Sequence, residues 1–427
     1  MTISRRTFLQ SSAVIAPTVI SSSAIGHSNR ASAGDRINVA IIGCGKMANA
    51  YHIPQLLDQP DVQVVAVCEV DQTRRDHAKD RVETHYSTGK TEYQGCGTYV
   101  DFRDVISRSD IDAVCIASPD HWHAIPIIEA CKSGKDVYCE KPLTLTIEEA
   151  GRCVDAARSH ERIVQTGSQQ RSNVFGPFRE AVEIIRSGRL GKIHRVTVGV
   201  GGPSVPCDLP EEEIEPNLDW DMWLGQAPLR AYNSILSPRG NHSHFPAWRN
   251  YREYSGGGHT DMGAHHYDIA QWALDMDESG PIEIIPPEDS QATTGVRYIY
   301  ENGVEMVHGG PSGCTFHGEN GVLWIDRRRL ESDPEEIVKT PLGKDDVHLF
   351  RSPGHHRNWI DCIKSREAPV AEVEKGARTV SIIHLGNLAY WHHKTLKWNP
   401  SKWKFEDSAD NHLLDRERRD PWQLPAV

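Results

Sequence analysis

Among ten cysteines there is no Cys-x-x-Cys pair, and among 22 histidines there is no His-Glu-x-x-His. The first absence excludes a zinc knuckle or a thioredoxin-type site, and the second leaves no metal requirement indicated. The close pairs His242/His244, His265-His266, His355-His356 and His392-His393 do not change this, because adjacent residues on a helix point apart. Basic excess is also missing. Forty-seven Lys and Arg face 59 Asp and Glu, for a net charge of −12, which argues against a nucleic-acid partner. Beyond the N-terminus no stretch reaches the roughly 18 apolar residues of a membrane span. Internal repeats and low-complexity tracts are absent as well.

A chain of 427 residues suggests two domains with ample material for cores. Residues 1–33 read as an export signal. Arg5 and Arg6 sit in a twin-arginine pattern, a modestly apolar stretch runs from Ala13 to Ile25, and Ala31-Ser32-Ala33 offers a cleavage site. The mature chain is therefore expected to start at Gly34, in the periplasm or outside the cell. That route carries folded proteins, commonly with cofactor loaded. Exported cysteines often pair. Here Cys44 lies in a glycine loop, Cys68 at a strand end, and Cys115 and Cys139 in apolar runs, so they read as small buried hydrophobes.

The organising stretch is Ile37–Ala48, an apolar β-branched run ending in Gly43-Cys44-Gly45-Lys46-Met47-Ala48. Gly-x-Gly-x-x-Ala between a strand and a helix is how a dinucleotide pyrophosphate is received. Gly43 permits the tight turn, Gly45 lets the backbone approach the phosphates, and Ala48 lets helix and strand pack. A second apolar run, Val62–Val67, ends in Cys68-Glu69, placing an acid 21 positions after Ala48 to hold ribose hydroxyls. A carboxylate there repels a 2′-phosphate, so NAD is expected. Arg74 and Arg75 follow closely and leave NADP open.

Up to about Gln165, apolar runs alternate with helical patterns, as in a doubly wound parallel sheet. The strand Ile111–Ala117 breaks at Ser118-Pro119-Asp120-His121-Trp122-His123, and Asp136–Cys139 stops at Glu140-Lys141-Pro142. Ligands bind at such strand ends. Gly43, Gly45, Lys46, Met47, Glu69, Ser118, Pro119, Glu140 and Lys141 are therefore the expected cofactor contacts. After Gly167, alternation at Val196, Val198 and Val200 and Asn-Gly turns at 302–303 and 320–321 predict a largely antiparallel sheet with covering helices. The expected organisation is a Rossmann domain over 34–166 and an α+β substrate and oligomerisation domain over 167–395. A Trp-bearing tail over 396–427 packs on the body, and residues 372–392 form a long closing helix.

Asp261, His265, Asp268 and Trp272 follow helical 4-3-4 spacing behind Gly256-Gly257-Gly258. One turn apart, Asp261 can orient His265 as a general base, although the same spacing serves a solvated surface pair. Lys141, beside Pro142 at a sheet edge, can polarise a substrate hydroxyl, although a lone lysine is commonly a surface residue.

Together these pieces resemble the Gfo/Idh/MocA family of oxidoreductases. The likeness rests on the glycine loop, Glu140-Lys141-Pro142, Trp220-Asp221-Met222-Trp223-Leu224-Gly225, the glycines before Asp261 and His265, and His356-Arg357-Asn358-Trp359-Ile360-Asp361. It implies a Rossmann domain and a second domain whose open sheet often makes a dimer or tetramer. It also implies that Lys141 touches nicotinamide and substrate, that Asp261 and His265 complete the proton handling, and that His123 is a loosely matched cofactor-side histidine. Family substrates are mostly sugars, polyols and their derivatives. Two other readings stay beside NAD-dependent oxidation: a redox-neutral glycosidase and a cofactor-binding sensor without turnover.

Overall fold

The computed structural model describes residues 33–87 and 93–427. The export signal therefore lies outside the described residues, apart from Ala33. Six parallel strands form the first sheet: β1 (Ile37–Ile42), β2 (Val62–Cys68), β3 (Gly97–Tyr99), β4 (Ala113–Ile116), β5 (Asp136–Cys139) and β6 (Val164–Thr166). Their order is β3-β2-β1-β4-β5-β6, the doubly wound arrangement, with the crevice of the order reversal between β1 and β4. Every residue of β4 and β5 is buried, as expected of strands covered on both faces. The covering helices are α1 (Ile53–Leu57), α2 (Gln72–Tyr86), α3 (Phe102–Ile106), α4 (Ala124–Lys132) and α5 (Ile147–Ser159).

Local signals start these helices. The side chain of Asp71 accepts the Arg74 N–H and begins α2. Thr146 and Glu149 form a capping box on α5, each side chain serving the other's backbone N–H. Both arrangements satisfy amides that a helix cannot satisfy internally.

The second unit contains α6 (Phe178–Arg186), β7 (Ile193–Gly199), α7 (Trp220–Leu224), α8 (Gly258–Asp261) and α9 (Gly263–Ala273). Then come β8 (Glu283–Ile285), β9 (Arg297–Ile299), β10 (Glu305–Gly318), β11 (Gly321–Ile325), β12 (Leu330–Asp333) and α10 (Glu336–Lys339). The chain closes with α11 (His355–Ser365), α12 (Val373–His392), β13 (Leu396–Asn399) and β14 (Lys404–Phe405). Its eight strands form an antiparallel sheet in which β7 pairs with the long β10. Both Asn-Gly sites fall between strands, where Gly303 has φ +84° and Gly321 opens β11. The chain therefore has the α/β fold of a Rossmann domain followed by a mostly antiparallel sheet domain.

The C-terminal stretch divides in two. Leu396 and Lys397 pair with β8, so β13 extends the second sheet. Further on, Trp422 packs edge-on against Trp122, 4.9 Å between ring centroids, in the core of the first domain. All ten cysteines are free thiols, nine of them buried.

One ion-pair cluster fixes the second unit to the first. Arg171, in the turn after β6, donates from Nε to both Asp268 carboxylate oxygens at 3.0 and 2.8 Å and from its terminal nitrogens to Asp277 at 2.8 and 2.6 Å. Its side chain and that of Asp268 are each 1% exposed. Asp268 therefore anchors α9 to the edge of the first sheet instead of joining the reactive face. Arg171→Met would strand that carboxylate in the interior and should cost about 3–5 kcal/mol, read from urea unfolding. A loss below about 1 kcal/mol would show the anchor to be dispensable.

Candidate functional site

A cleft of about 400 Å³ opens at the carboxyl ends of β1, β2, β4 and β5 and runs on to α8 and α9. It takes in Gly43, Gly45, Lys46, Met47, Glu69, Ser118, Pro119, Glu140, Lys141, Asp261 and His265. His123 is the exception among the expected residues. Its ring is buried behind the wall, with Nδ1 2.8 Å from the Pro142 carbonyl and Nε2 2.9 Å from the Ser118 carbonyl. It thus joins the two site loops from behind and is not a cofactor-side contact.

The glycine loop fits a dinucleotide. Gly43 has φ +85°, and a Cβ there would lie 2.5 Å from the Ser118 nitrogen, so no other residue fits. A Cβ on Gly45 would meet nothing within 4 Å, so that backbone opens onto the cleft. Glu69 closes the loop from the end of β2. One carboxylate oxygen accepts the Cys44 N–H at 2.7 Å and the other the Asp71 N–H at 3.1 Å. Arg75 donates to the Glu69 carbonyl at 2.6 Å. Arg74, which also lines the cleft, reaches the connection between α7 and α8, donating to the Gly240 carbonyl at 3.1 Å and to the carbonyl of Pro238. Ser237, Pro238, His242 and Phe245 of that connection line the same cleft, and the ammonium of Lys46 lies 3.9 Å over the Phe245 ring.

At the other end, Lys141 Nζ donates to both the carbonyl and the Oδ1 of Asp261, each at 2.7 Å. Arg249 Nε lies 3.5 Å from the same Oδ1. Although burial opposes its charge, these two cations hold the Asp261 carboxyl below its ordinary pKa. The expected pairing of Asp261 with His265 does not form. Met262, between α8 and α9, keeps helical dihedrals, and the pair is prevented because the Asp261 carboxylate is committed to Lys141 and Arg249. His265 lines the cleft with its buried Nδ1 unpartnered. Burial, with Lys141 and Arg327 nearby, drives its pKa well below that of ordinary histidine.

Behind Lys141 sits a charged pair. Glu140 accepts the Lys141 N–H at 3.2 Å and a Gln169 N–H at 2.6 Å, and its Oε1 lies 3.1 Å from His52 Nε2. Burial opposes the charge of both partners. Even so, Cys115 and Glu140 raise His52 to about 10, and His52, Lys141 and Gln169 hold Glu140 below the usual carboxylate value.

Two residues of the cleft escape sequence reading. Asp120 is 3% exposed, accepts the Ser255 hydroxyl at 2.6 Å, and is pushed up to about 7 by burial. Arg327 reaches in from the β11–β12 turn. The break after β4 was a hint for Asp120, but no local spacing pointed to Arg327.

Two family models match the chain. One, an oxidoreductase family with an NAD-binding Rossmann fold, covers residues 37–168. The other, the C-terminal alpha/beta domain of an oxidoreductase family, covers residues 204–424. The inositol 2-dehydrogenase of Burkholderia multivorans is 32% identical over 330 residues, 74% of this chain and 79% of its own length. A glycosyl hydrolase family 109 protein of Shewanella putrefaciens is 35% identical over 128 residues, 30% of this chain and 27% of its own. This chain spans less than half the length of several such relatives. The solved WlbA dehydrogenase from Bordetella pertussis, in complex with NADH and UDP-GlcNAcA, superposes with a TM-score of 0.60 at 17% identity. That superposition covers 85% of this chain and 99% of WlbA.

The raised Asp120 carboxyl sets a pH dependence. Its folded pKa, about 7, lies above the unfolded value, so the folded state holds the extra proton between the two. This group therefore lowers stability as pH rises from about 4 to about 7, and the penalty is complete above that. Asp120→Asn should gain on the native protein by a few kcal/mol more at pH 8.5 than at pH 4, read from urea unfolding. An equal difference at both pH values would show that Asp120 ionises normally.

Proposed function

Because the chain belongs to the Gfo/Idh/MocA family of NAD-binding oxidoreductases, we propose that it oxidises a hydroxyl carbon of a sugar, polyol or sugar derivative. The observation that carries this reading is the meeting of Lys141 and His265 in one cleft with the glycine loop. The loop and Glu69 hold the dinucleotide, which when bound accepts a hydride from the hydroxyl-bearing carbon. Lys141 Nζ, steered by Asp261, donates a hydrogen bond to the hydroxyl oxygen and stabilises negative charge forming there. His265, neutral because its charged form is disfavoured, is the base that takes the hydroxyl proton. Asp261 is thus a positioning residue for Lys141, not for the imidazole. Glu69 favours NAD over NADP, since its carboxylate repels a 2′-phosphate and Arg74 is engaged elsewhere.

A second reading, a redox-neutral glycosidase, is favoured by Asp120. A carboxyl titrating near 7 in the cleft can give its proton to a departing alcohol. Release of aglycone without net nicotinamide reduction identifies it.

We also place the mature protein outside the cytoplasmic membrane, on the Arg5-Arg6 signal. Little NAD is available there for exchange, so the cofactor should stay bound through successive turnovers. The 237–240 turn held by Arg74 supports such retention by roofing the dinucleotide end of the cleft.

Lys141→Ala and His265→Ala should each lower turnover by about 10²–10⁴, the usual contribution of a positioned acid or base, with dinucleotide still bound. Near-native turnover in both would remove them from the mechanism. Denaturing native protein should release close to one dinucleotide per chain, counted by mass spectrometry. Arg74→Ala should lose it on dialysis. Recovery of native apo-protein would refute retention.

A further inference from the structure

The cleft is unevenly charged around His265. Lys141, Arg249 and Arg327 all line it. Asp261 serves the first two through a single oxygen, at 2.7 and 3.5 Å. Glu140 is answered by His52, and Asp120 is protonated about half the time near pH 7. Among the described residues no carboxylate lies within 4.0 Å of the Arg327 guanidinium, although the side chain is half-buried. Its one side-chain acceptor is the neutral Gln170 amide oxygen, 3.3 Å from Nε. The guanidinium lies 4.7 Å over the Phe175 ring, which steadies the plane of the fork. Phe175 is itself held at φ +76°, a conformation disfavoured for a bulky residue and common where geometry serves a ligand.

The charge of Asp261 reaches Arg327 only from a distance and is already shared with Lys141 and Arg249, and a partly desolvated arginine with no carboxylate in contact is costly unless an anion arrives to meet it. We propose that the substrate is a sugar acid, whose carboxylate is received by the Arg327 guanidinium while one of its hydroxyls reaches Lys141 and His265. The inference rests on the oxidoreductase reading and names its substrate class. A planar guanidinium matches a carboxylate in bidentate fashion, and one unanswered cation suits a singly charged group better than a phosphate dianion. The carboxylate has a second effect. Burial first, then Lys141 and Arg327, hold His265 below its ordinary pKa, so a carboxylate on Arg327 relieves one part of that depression when substrate is in place.

The test uses the protein as isolated, with its nucleotide, and calorimetric titration. Glucuronate, galacturonate and mannuronate are compared with glucose, galactose and mannose and with the 6-phosphates of those hexoses. At least one uronate should bind about ten- to hundredfold more tightly than its own hexose, the usual worth of a charge-assisted pair. Arg327→Met should abolish that preference, and Arg327→Lys should retain part of it; unchanged melting temperatures would confirm that both fold. The inference is overturned if no uronate exceeds its hexose, if the preference survives in Arg327→Met, or if a hexose phosphate binds more tightly than the uronate. Nicotinamide reduction by the same panel judges the oxidoreductase reading separately. Reduction by neutral hexoses alone would sustain that reading and reject the sugar acid.

Discussion

The bond from Lys141 Nζ to Asp261 is the contact on which the site depends. Lys141 follows the last strand residues of β5, and Asp261 ends α8 in the other domain. Two acceptors on one residue, each at 2.7 Å, fix the direction of the ammonium and the start of α9 together. An ammonium in a half-closed cleft would otherwise be free to swing on its four-carbon stem. Behind it, Glu140 accepts the Lys141 N–H and is itself held by Gln169 and His52. In the proposed reaction Lys141 meets developing charge, and such a group is useful only if it is already oriented before the charge appears.

The approach to α9 is shaped by backbone crowding as much as by side chains. Gly257 has φ +87°, and a Cβ there would stand 2.4 Å from the Ser204 nitrogen. Gly258 and Gly201 approach so closely that a Cβ on either would lie 2.9 Å from the other's Cα. That turn delivers Asp261 to the cleft and then starts α9 afresh at Gly263. One turn further on, Asp268 locks into Arg171 and sets the depth of the helix. His265 lies between two fixed points, one at the cleft wall and one in the interior.

Much of the fold was legible in the sequence because its signals are local. Gly43 and Gly45 mark a turn that only glycine satisfies, and the strand over Asp136–Cys139 is bounded as its apolar run suggested. The misreadings share a cause. The 4-3-4 spacing from Asp261 to Trp272 puts Asp261 one turn from His265, but Lys141, 120 residues earlier, and Arg249 take its carboxylate instead. Asp268, on the same supposed face, is spent on Arg171. His123 stands beside a site loop in sequence, yet its ring is taken by two carbonyls behind the wall. Asp120 becomes unusual only when Ser255 and the interior close around it, and Arg327 enters from a turn about 190 residues after Lys141. Tertiary enclosure makes such residues what they are, and local pattern does not encode it.

Charge pairing elsewhere gives the cleft its meaning. Arg171 is answered by Asp268 and Asp277, Arg418 by Glu149 and Asp415, and Arg357 and Lys364 by Asp61. Asp61 is held at about 2 by those two cations despite burial. These arrangements complete their electrostatics within the chain, as a buried ion must when water is withdrawn. Around His265 the same chain stops short of completion. One carboxylate is divided between two cations, a third cation has only an amide in hydrogen-bond contact, and an imidazole is kept neutral by burial and the nearby positive charges. A cavity that has taken charges out of water without pairing them binds a ligand that pairs them more strongly than one that does not. Under the proposed reading, its specificity follows from which charge is left without a contact partner, and the hydroxyl is presented by where that charge sits.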